Sequence, residues 1–266
     1  MSEVLLTGAT SGLGRWLAPR LGRAGLTVLL HGRDPDKVER GVAEVEAAGG
    51  KAEGFVADLA SLAAVDRLAR QVEDRALTHL VNNAGVGFGE RGGAREVSAD
   101  GYELRWAVNL LAPVRLTRAL LPTLRRNAPA RVVNVGSLGQ EPIDFGDLQQ
   151  ERRYDGVRAY RRSKLALAAW TFDLAAELDG TGITANCLHP ATFMDTEMVR
   201  EYGQTPFSTV DEGGAATLRL ILDETRSGLF FDGERVAEPH PDAKDPAVRA
   251  RLRAVLEGSG PRGDLA

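Results

Sequence analysis

The sequence is short of cysteine, of aromatic residues and of long apolar runs. Cys187 is the one cysteine among 266 residues, so a disulfide within the chain is excluded. It borders an expected strand and reads as a small buried hydrophobe. No charge-free apolar stretch reaches membrane-spanning length. No charged leader precedes the first apolar run, Val4-Leu5-Leu6. A cytoplasmic protein with no membrane partner is the expectation. Positive charge is not in excess either: 33 Lys and Arg stand against 37 Asp and Glu, a formal net charge of −4. With no basic field to hold a polyanion, nucleic acid is not an expected partner. The four histidines, His31, His79, His189 and His240, are scattered without ligand-set spacing, and no metal is expected.

What the chain does contain is alternation. Short apolar runs at 4–7, 27–31, 52–57, 79–82, 131–135, 184–188 and 228–231 read as strands, several apolar on successive residues as in strands covered on both faces. Between them, helical patterns lie at 13–24, 36–48, 61–75, 99–126, 158–178 and 212–222, with a tail helix at 246–256. Regular β-then-α order predicts right-handed βαβ units, hence an α/β domain spanning 1–266. The sheet should be doubly wound, with about seven mainly parallel strands and helices on both faces. Two stretches break the rhythm: the polar segment 138–156, and 190–209, with Pro190, Pro206, aromatics and methionines. Loops this long are often functional. The C-terminal tail, about 240–266, reads as frayed beyond Gly258.

The first strand runs into Thr7-Gly8-Ala9-Thr10-Ser11-Gly12-Leu13-Gly14 and then a helix. Glycine lets backbone turn sharply and approach a ligand closely. A helix N-terminus offers unpaired N–H groups and positive partial charge, so this turn is a candidate pyrophosphate cradle. The spacing is glycine, three residues, glycine, one residue, glycine, unlike the GxGxxG fingerprint.

With these elements the chain resembles the short-chain dehydrogenase/reductase family. The Thr7–Gly14 turn matches that family's cofactor motif. Asp58-Leu59 stands where the family contacts adenine, Asn82-Asn83-Ala84-Gly85 matches its element after the fourth strand, and Ser137 closes the fifth. Tyr160-Arg161-Arg162-Ser163-Lys164 matches Tyr-x-x-x-Lys, and Asn109 falls in a helix at the family's position. Ile143-Asp144-Phe145, Tyr154, Leu188-His189-Pro190 and Phe230-Phe231-Asp232-Gly233 are similar to the retinol-dehydrogenase-like branch. The resemblance implies a Rossmann-type fold that binds a nicotinamide dinucleotide. Gly8, Thr10, Ser11, Gly12, Leu13, Gly14, Arg33, Asp58, Leu59, Asn83, Ala84, Gly85, Tyr160, Lys164, Pro190, Thr192 and Thr196 are the expected binding positions. Two departures leave the loop geometry after the sixth strand open: Ala191 replaces the usual glycine after Pro190, and Thr196 falls one residue late.

NAD-binding members are similar to one another in placing a carboxylate where Gly32 stands. Glycine there, followed by Arg33, favours NADP(H), since a guanidinium can grip a phosphate through two parallel bonds. The competing reading makes Arg33 a solvated loop charge and gives the ribose to Asp34, with NAD(H).

Tyr160 and Lys164, four apart on a helix, share a face. An ammonium nearby lowers a phenol's pKa, about 10 when free. The resemblance implies that Tyr160 exchanges the proton, Ser137 donates a second bond to the substrate oxygen, and Lys164 also bonds the nicotinamide ribose. Asn109 would hold a water leading to solvent. The expected activity is oxidoreductase interconversion of a carbonyl and an alcohol. A bulky, apolar small-molecule substrate is expected, walled by Phe193, Met194, Met198, Tyr202 and Phe207. A non-net-redox epimerase or dehydratase and a cofactor-sensing regulator are the alternatives. Helices as long as 99–126 and 158–178 resemble those that build oligomers in the family, so a homo-oligomer is expected.

Overall fold

The computed structural model describes residues 2–259; the rest of the tail expected to fray lies outside them. The first half alternates strictly: β1 (Glu3–Leu6), α1 (Gly12–Arg23), β2 (Thr27–Gly32), α2 (Pro35–Ala47), β3 (Lys51–Val56), α3 (Leu62–Val72) and β4 (Leu77–Asn82). There follow α4 (Leu104–Trp106), a π-helical turn (Ala107–Leu111), α5 (Ala112–Arg126), β5 (Ala130–Val135), α6 (Gly156–Glu177) and β6 (Ile183–His189). The chain continues through α7 (Glu197–Glu201), α8 (Val210–Leu222), β7 (Phe230–Asp232), β8 (Arg235–Ala237) and α9 (Pro246–Glu257).

These strands form one sheet in the order β3-β2-β1-β4-β5-β6-β7-β8, parallel up to β7. The fold is the expected doubly wound α/β sheet, with eight strands instead of about seven. The extra strand is β8, antiparallel to β7. Gly233, at φ +58°, lies in the turn between them. In β1, Val4 and Leu6 face one core and Leu5 the other; β2, β4 and β5 do the same. Helices α1, α2 and α8 cover one face, and α3, α5 and α6 the other. Successive apolar residues in these strands are therefore all buried. Edge strand β3 keeps only Phe55 buried.

Two other expectations are corrected, while the tail helix lies where it was read. The helix read over 99–126 begins only at Leu104, and the π-turn interrupts it over Ala107–Leu111, around Asn109. Segment 190–209 is not all loop, because α7 lies within it. The tail helix α9 docks on α6 through Leu252, which is buried, and through ion pairs from Arg249 and Arg253 to Asp173.

The strand order reverses at β1/β4, which opens a crevice outside their carboxyl ends. His31, at the end of β2, ties this rim together. Its Nδ1 accepts from the Gly8 amide at 3.2 Å, and its Nε2 donates to the Ala57 carbonyl at 3.0 Å. Burial drives its pKa down to about 4. Burial, aided by Arg131, does the same at His79, also to about 4. Both are neutral in the fold and charge near pH 6.5 in the unfolded chain. Their stabilisation is thus complete above pH 6.5 and is lost as pH falls toward 4. Between pH 6.5 and 5, above the range where most carboxylates titrate, unfolding free energy should fall by about 2 kcal/mol per histidine. Urea midpoints across that window check this; His79→Gln should remove roughly half the slope, and a flat profile in the wild type refutes the assignment.

Candidate active site

Four bonds lock the crevice. The Asn83 side chain donates to the carbonyls of Thr7 (2.8 Å) and Gly8 (3.0 Å). The Thr7 hydroxyl accepts from the amides of Asn83 and Ala84, each at 3.0 Å. Asn83 and Ala84, expected against the cofactor, thus lie under the glycine turn and hold its shape. Gly8 sits at φ +64°, and a Cβ there would stand 2.7 Å from Ala84 Cα. A Cβ on Gly14 would overlap the Gly8 carbonyl oxygen and approach Asn83 Nδ2 to 2.7 Å. Helix α1 therefore starts against the turn only because position 14 has no side chain.

The start of α1 is open. Ser11 is its N-cap residue, yet its side chain makes no capping bond, and no acidic residue lies in the first turn. Unpaired amides and positive partial charge thus face the crevice. Thr10, Ser11, Gly12, Lys37 and Arg40 line a hollow of about 270 Å³ beside it, with Arg15 and Glu44 joined in a two-bond ion pair. Arg33 is exposed, with no hydrogen bond or ion pair among the described residues. Asp34 is engaged elsewhere: it caps α2 and accepts from the Lys37 amide at 3.1 Å. Gly32 has a steric reason to be glycine, because a Cβ there would come within 2.5 Å of Thr10 Cγ2. Leu13 and Leu59 are buried in the two cores and can offer a ligand only backbone. Asp58 is exposed and accepts from the Ala60 amide at 2.9 Å.

Across the crevice, α6 carries Tyr160, Ser163 and Lys164. Lys164 is buried and its Nζ donates to the Val135 carbonyl at 2.7 Å, 5.7 Å from the centre of the Tyr160 ring. Burial lowers its pKa to about 8. Burial raises the Tyr160 phenol, and a hydrogen bond with the Ser137 side chain pulls it part of the way back. In the protein alone desolvation therefore sets the direction, Ser137 is the group that opposes it, and the expected lowering by Lys164 does not enter. Ser137 Oγ accepts from the Gly139 amide at 3.0 Å, which leaves its own hydrogen to be donated to the phenol oxygen. Asn109, in the π-turn, has both amide hydrogens committed, to the Val86 carbonyl (3.0 Å) and Ser163 Oγ (3.1 Å). Its Oδ1 accepts from the Val86 amide at 2.8 Å. The side chain thus braces the strand-β4 loop against α6, with no amide hydrogen left for the expected water relay. A Cβ on Gly85 would lie 3.7 Å from Lys164 Nζ and 3.3 Å from Asn109 Oδ1.

The 190–209 segment closes over this group. Thr196 packs on the glycine turn, its Cγ2 3.1 Å from where a Gly12 Cβ would stand. Thr192 bonds His189 at 3.1 Å, and Pro190 lies beside Gly213. Phe193, at a strained φ of +43°, and Tyr202 meet Phe88 with ring centres 6.4 and 4.7 Å apart; Phe88 in turn stands edge-on to Tyr160 at 4.7 Å. Met198 packs on Gly87. Two expected wall residues do not join this cluster: Met194 packs into the core beside Gly213, and Phe207 is 82% exposed. Phe88 and His31 were not anticipated. Phe88 follows the Asn-Asn-Ala-Gly element closely enough to be sought, whereas a single buried histidine gives no sequence signal. Among the described residues no cluster of three or more His, Cys, Asp or Glu could hold a metal, and no helix is long and apolar enough to cross a membrane.

A family model described as short chain dehydrogenase matches residues 2–206. Mouse Retinol dehydrogenase 13 is 34% identical, over 94% of this chain and 80% of its own. Mouse Polyprenol dehydrogenase is 35% identical, over 96% and 84%. Among solved structures, the RhlG/NADP active-site complex of Pseudomonas aeruginosa superposes with a TM-score of 0.71 at 28% identity, over 87% of this chain and 94% of that one.

The close approach at position 14 sets a test. Gly14→Ala should lower stability by about 1–3 kcal/mol through overpacking against backbone. Gly41→Ala, whose methyl meets only the tip of Leu30, should cost less. Thermal midpoints compare the two; equal losses would show that the turn yields.

Proposed function

The chain belongs to the short chain dehydrogenase family and is an oxidoreductase of that kind, and from this premise we propose that it reduces a carbonyl, or oxidises the matching alcohol, with NADP(H) and with Tyr160 as general acid/base. The observation that carries the reading is the pairing across one crevice of an open α1 N-terminus with a half-buried Tyr160 beside buried Ser137 and Lys164. The residues present fit a dinucleotide. The space kept by Gly14 and the uncapped first turn suit a pyrophosphate, and Arg33, unpaired beside Gly32, suits a 2′-phosphate. When bound, the nicotinamide would supply or accept the hydride.

The protein's own part is the proton. Burial raises the Tyr160 phenol, so in the chain alone it is protonated and can donate in the reducing direction. Tyr160 would give its proton to the carbonyl oxygen as negative charge builds there, while Ser137, turning its hydrogen from the phenol, would hold the same oxygen. A protonated Lys164, released from the Val135 carbonyl toward the ribose, would offset the phenolate left behind. The aromatic surround excludes water and fits an apolar substrate.

Two results are expected. Tyr160→Phe keeps the ring and should lower kcat by at least about 10²–10⁴-fold, with little change in NADPH affinity. Lys164→Met should weaken both kcat and cofactor binding. Near-wild-type turnover by Tyr160→Phe, on any aldehyde or ketone the enzyme accepts, would show that the proton comes from elsewhere. Arg33→Ala should weaken NADPH by about 1–3 kcal/mol and spare NADH, by fluorescence titration of each. Equal weakening would remove Arg33 from phosphate recognition.

A further inference from the structure

Arg105 lies on the one-turn helix α4, remote from the Tyr160–Lys164 pair in sequence, yet it is 1% exposed and among the largest fully buried side chains. Burying a guanidinium is costly unless every arm is paired. Here the pairing is extensive. Nε donates to the Gly87 carbonyl at 2.9 Å, and Nη1 to the Tyr154 hydroxyl at 2.8 Å and Glu103 Oε1 at 3.4 Å. Nη2 pairs with Glu96 Oε2 at 2.9 Å. The Tyr154 hydroxyl donates onward to Glu103 Oε1 at 3.2 Å, and burial, with Glu103 beside it, raises its pKa, so it remains a donor. Glu103 Oε2 accepts from the Trp106 amide at 2.8 Å, which fixes the carboxylate. Three separate stretches therefore converge on one cation: 87–89, 96–105 and the long segment that ends at Tyr154.

The first of these stretches is Gly87-Phe88-Gly89. The Gly87 carbonyl is bonded to Arg105, Gly89 lies so close that a Cβ would strike Arg105 Nη2, and a Cβ on Gly156, the first residue of α6, would overlap the Phe88 carbonyl oxygen. The Phe88 backbone is thus clamped between the buried guanidinium and the helix that carries Tyr160, and its ring is set 4.7 Å from Tyr160 and 4.7 Å from Tyr202. We propose that Phe88 sets the size of the group accepted beside Tyr160, and that Arg105 and Tyr154 are positioning residues that hold Phe88 in that place. The proposal rests on the reading of Tyr160 as the proton-exchanging group.

The test uses the full chain with NADPH and two probes, propanal and 2-naphthaldehyde. Phe88→Ala should raise kcat/KM for 2-naphthaldehyde relative to propanal by roughly tenfold or more, the discrimination expected from opening an apolar wall. Arg105→Met leaves the buried Glu103 carboxylate without its cation, a threat to folding itself, so Tyr154→Phe is the working variant. It removes the hydroxyl that Arg105 and Glu103 share and keeps the ring. It should move the same ratio in the same direction by about threefold or more, with NADPH affinity unchanged; a purely structural role would lower both aldehydes in parallel. An unchanged ratio in Phe88→Ala overturns Phe88 as the size limit. An unchanged ratio in Tyr154→Phe, alongside a shifted one in Phe88→Ala, overturns the positioning role. A crystal structure of Tyr154→Phe tests positioning without activity: a Phe88 ring still edge-on to Tyr160 at its original distance counts against it. Were wild-type protein to reduce neither aldehyde nor any other carbonyl, the reading of Tyr160 would fail, while that structure would still decide the clamp.

Discussion

Asn83 holds two carbonyls that no strand partner can take, those of Thr7 and Gly8, while Thr7 returns its hydroxyl to the amides of Asn83 and Ala84. Everything at the rim depends on this exchange. It welds the end of β1 to the end of β4 where the sheet reverses its winding, and it brings Gly8 against Ala84 too closely for any side chain. Helix α1 then points its free amides into the crevice, and the loop after β4 continues through Gly85 to Asn109 and Lys164. A polar lock inside a mostly apolar framework is worthwhile only when all its members are bonded, and here they are.

The chemistry on α6 depends on burial in two opposite senses. Desolvation penalises a charged lysine and a charged phenol alike, so it lowers Lys164 and raises Tyr160. Both groups are thereby brought toward their neutral forms. Ser137, held by the Gly139 amide, opposes the rise at Tyr160, while Asn109 is spent on Val86 and Ser163.

Most of the sheet was legible because its inner strands are covered on both faces, and a short run of successive apolar residues such as Val4-Leu5-Leu6 is buried throughout only in such a strand. The glycine turn and the Tyr160–Lys164 pair were legible because spacing alone puts their groups together. Less was legible where tertiary contact decides. Strand β8 has three residues, two of them exposed, and exists because it pairs with β7. Residues 105–113 are all buried, so no exposed face marked the π-turn around Asn109, and the pattern predicted one continuous helix. Asn83 and Ala84 carried the right motif but serve the turn from beneath. Met194 and Phe207 looked like pocket walls by type alone; one found the core and the other solvent. Arg105 could not have been singled out, since its partners are scattered from Gly87 to Tyr154.

The contact between Thr10 and Gly32 gives this end of the crevice a memory of mutational order. A carboxylate introduced at position 32 meets the Thr10 methyl at 2.5 Å before it can reach any ligand, and a β-branched side chain has few rotamers in which to retreat. Shortening Thr10 alone does not open the room, because Val38 Cγ2 would still stand 2.9 Å from that Cβ. A side chain at 32 is therefore epistatic with positions 10 and 38 together, harmful in one sequence and accessible in another.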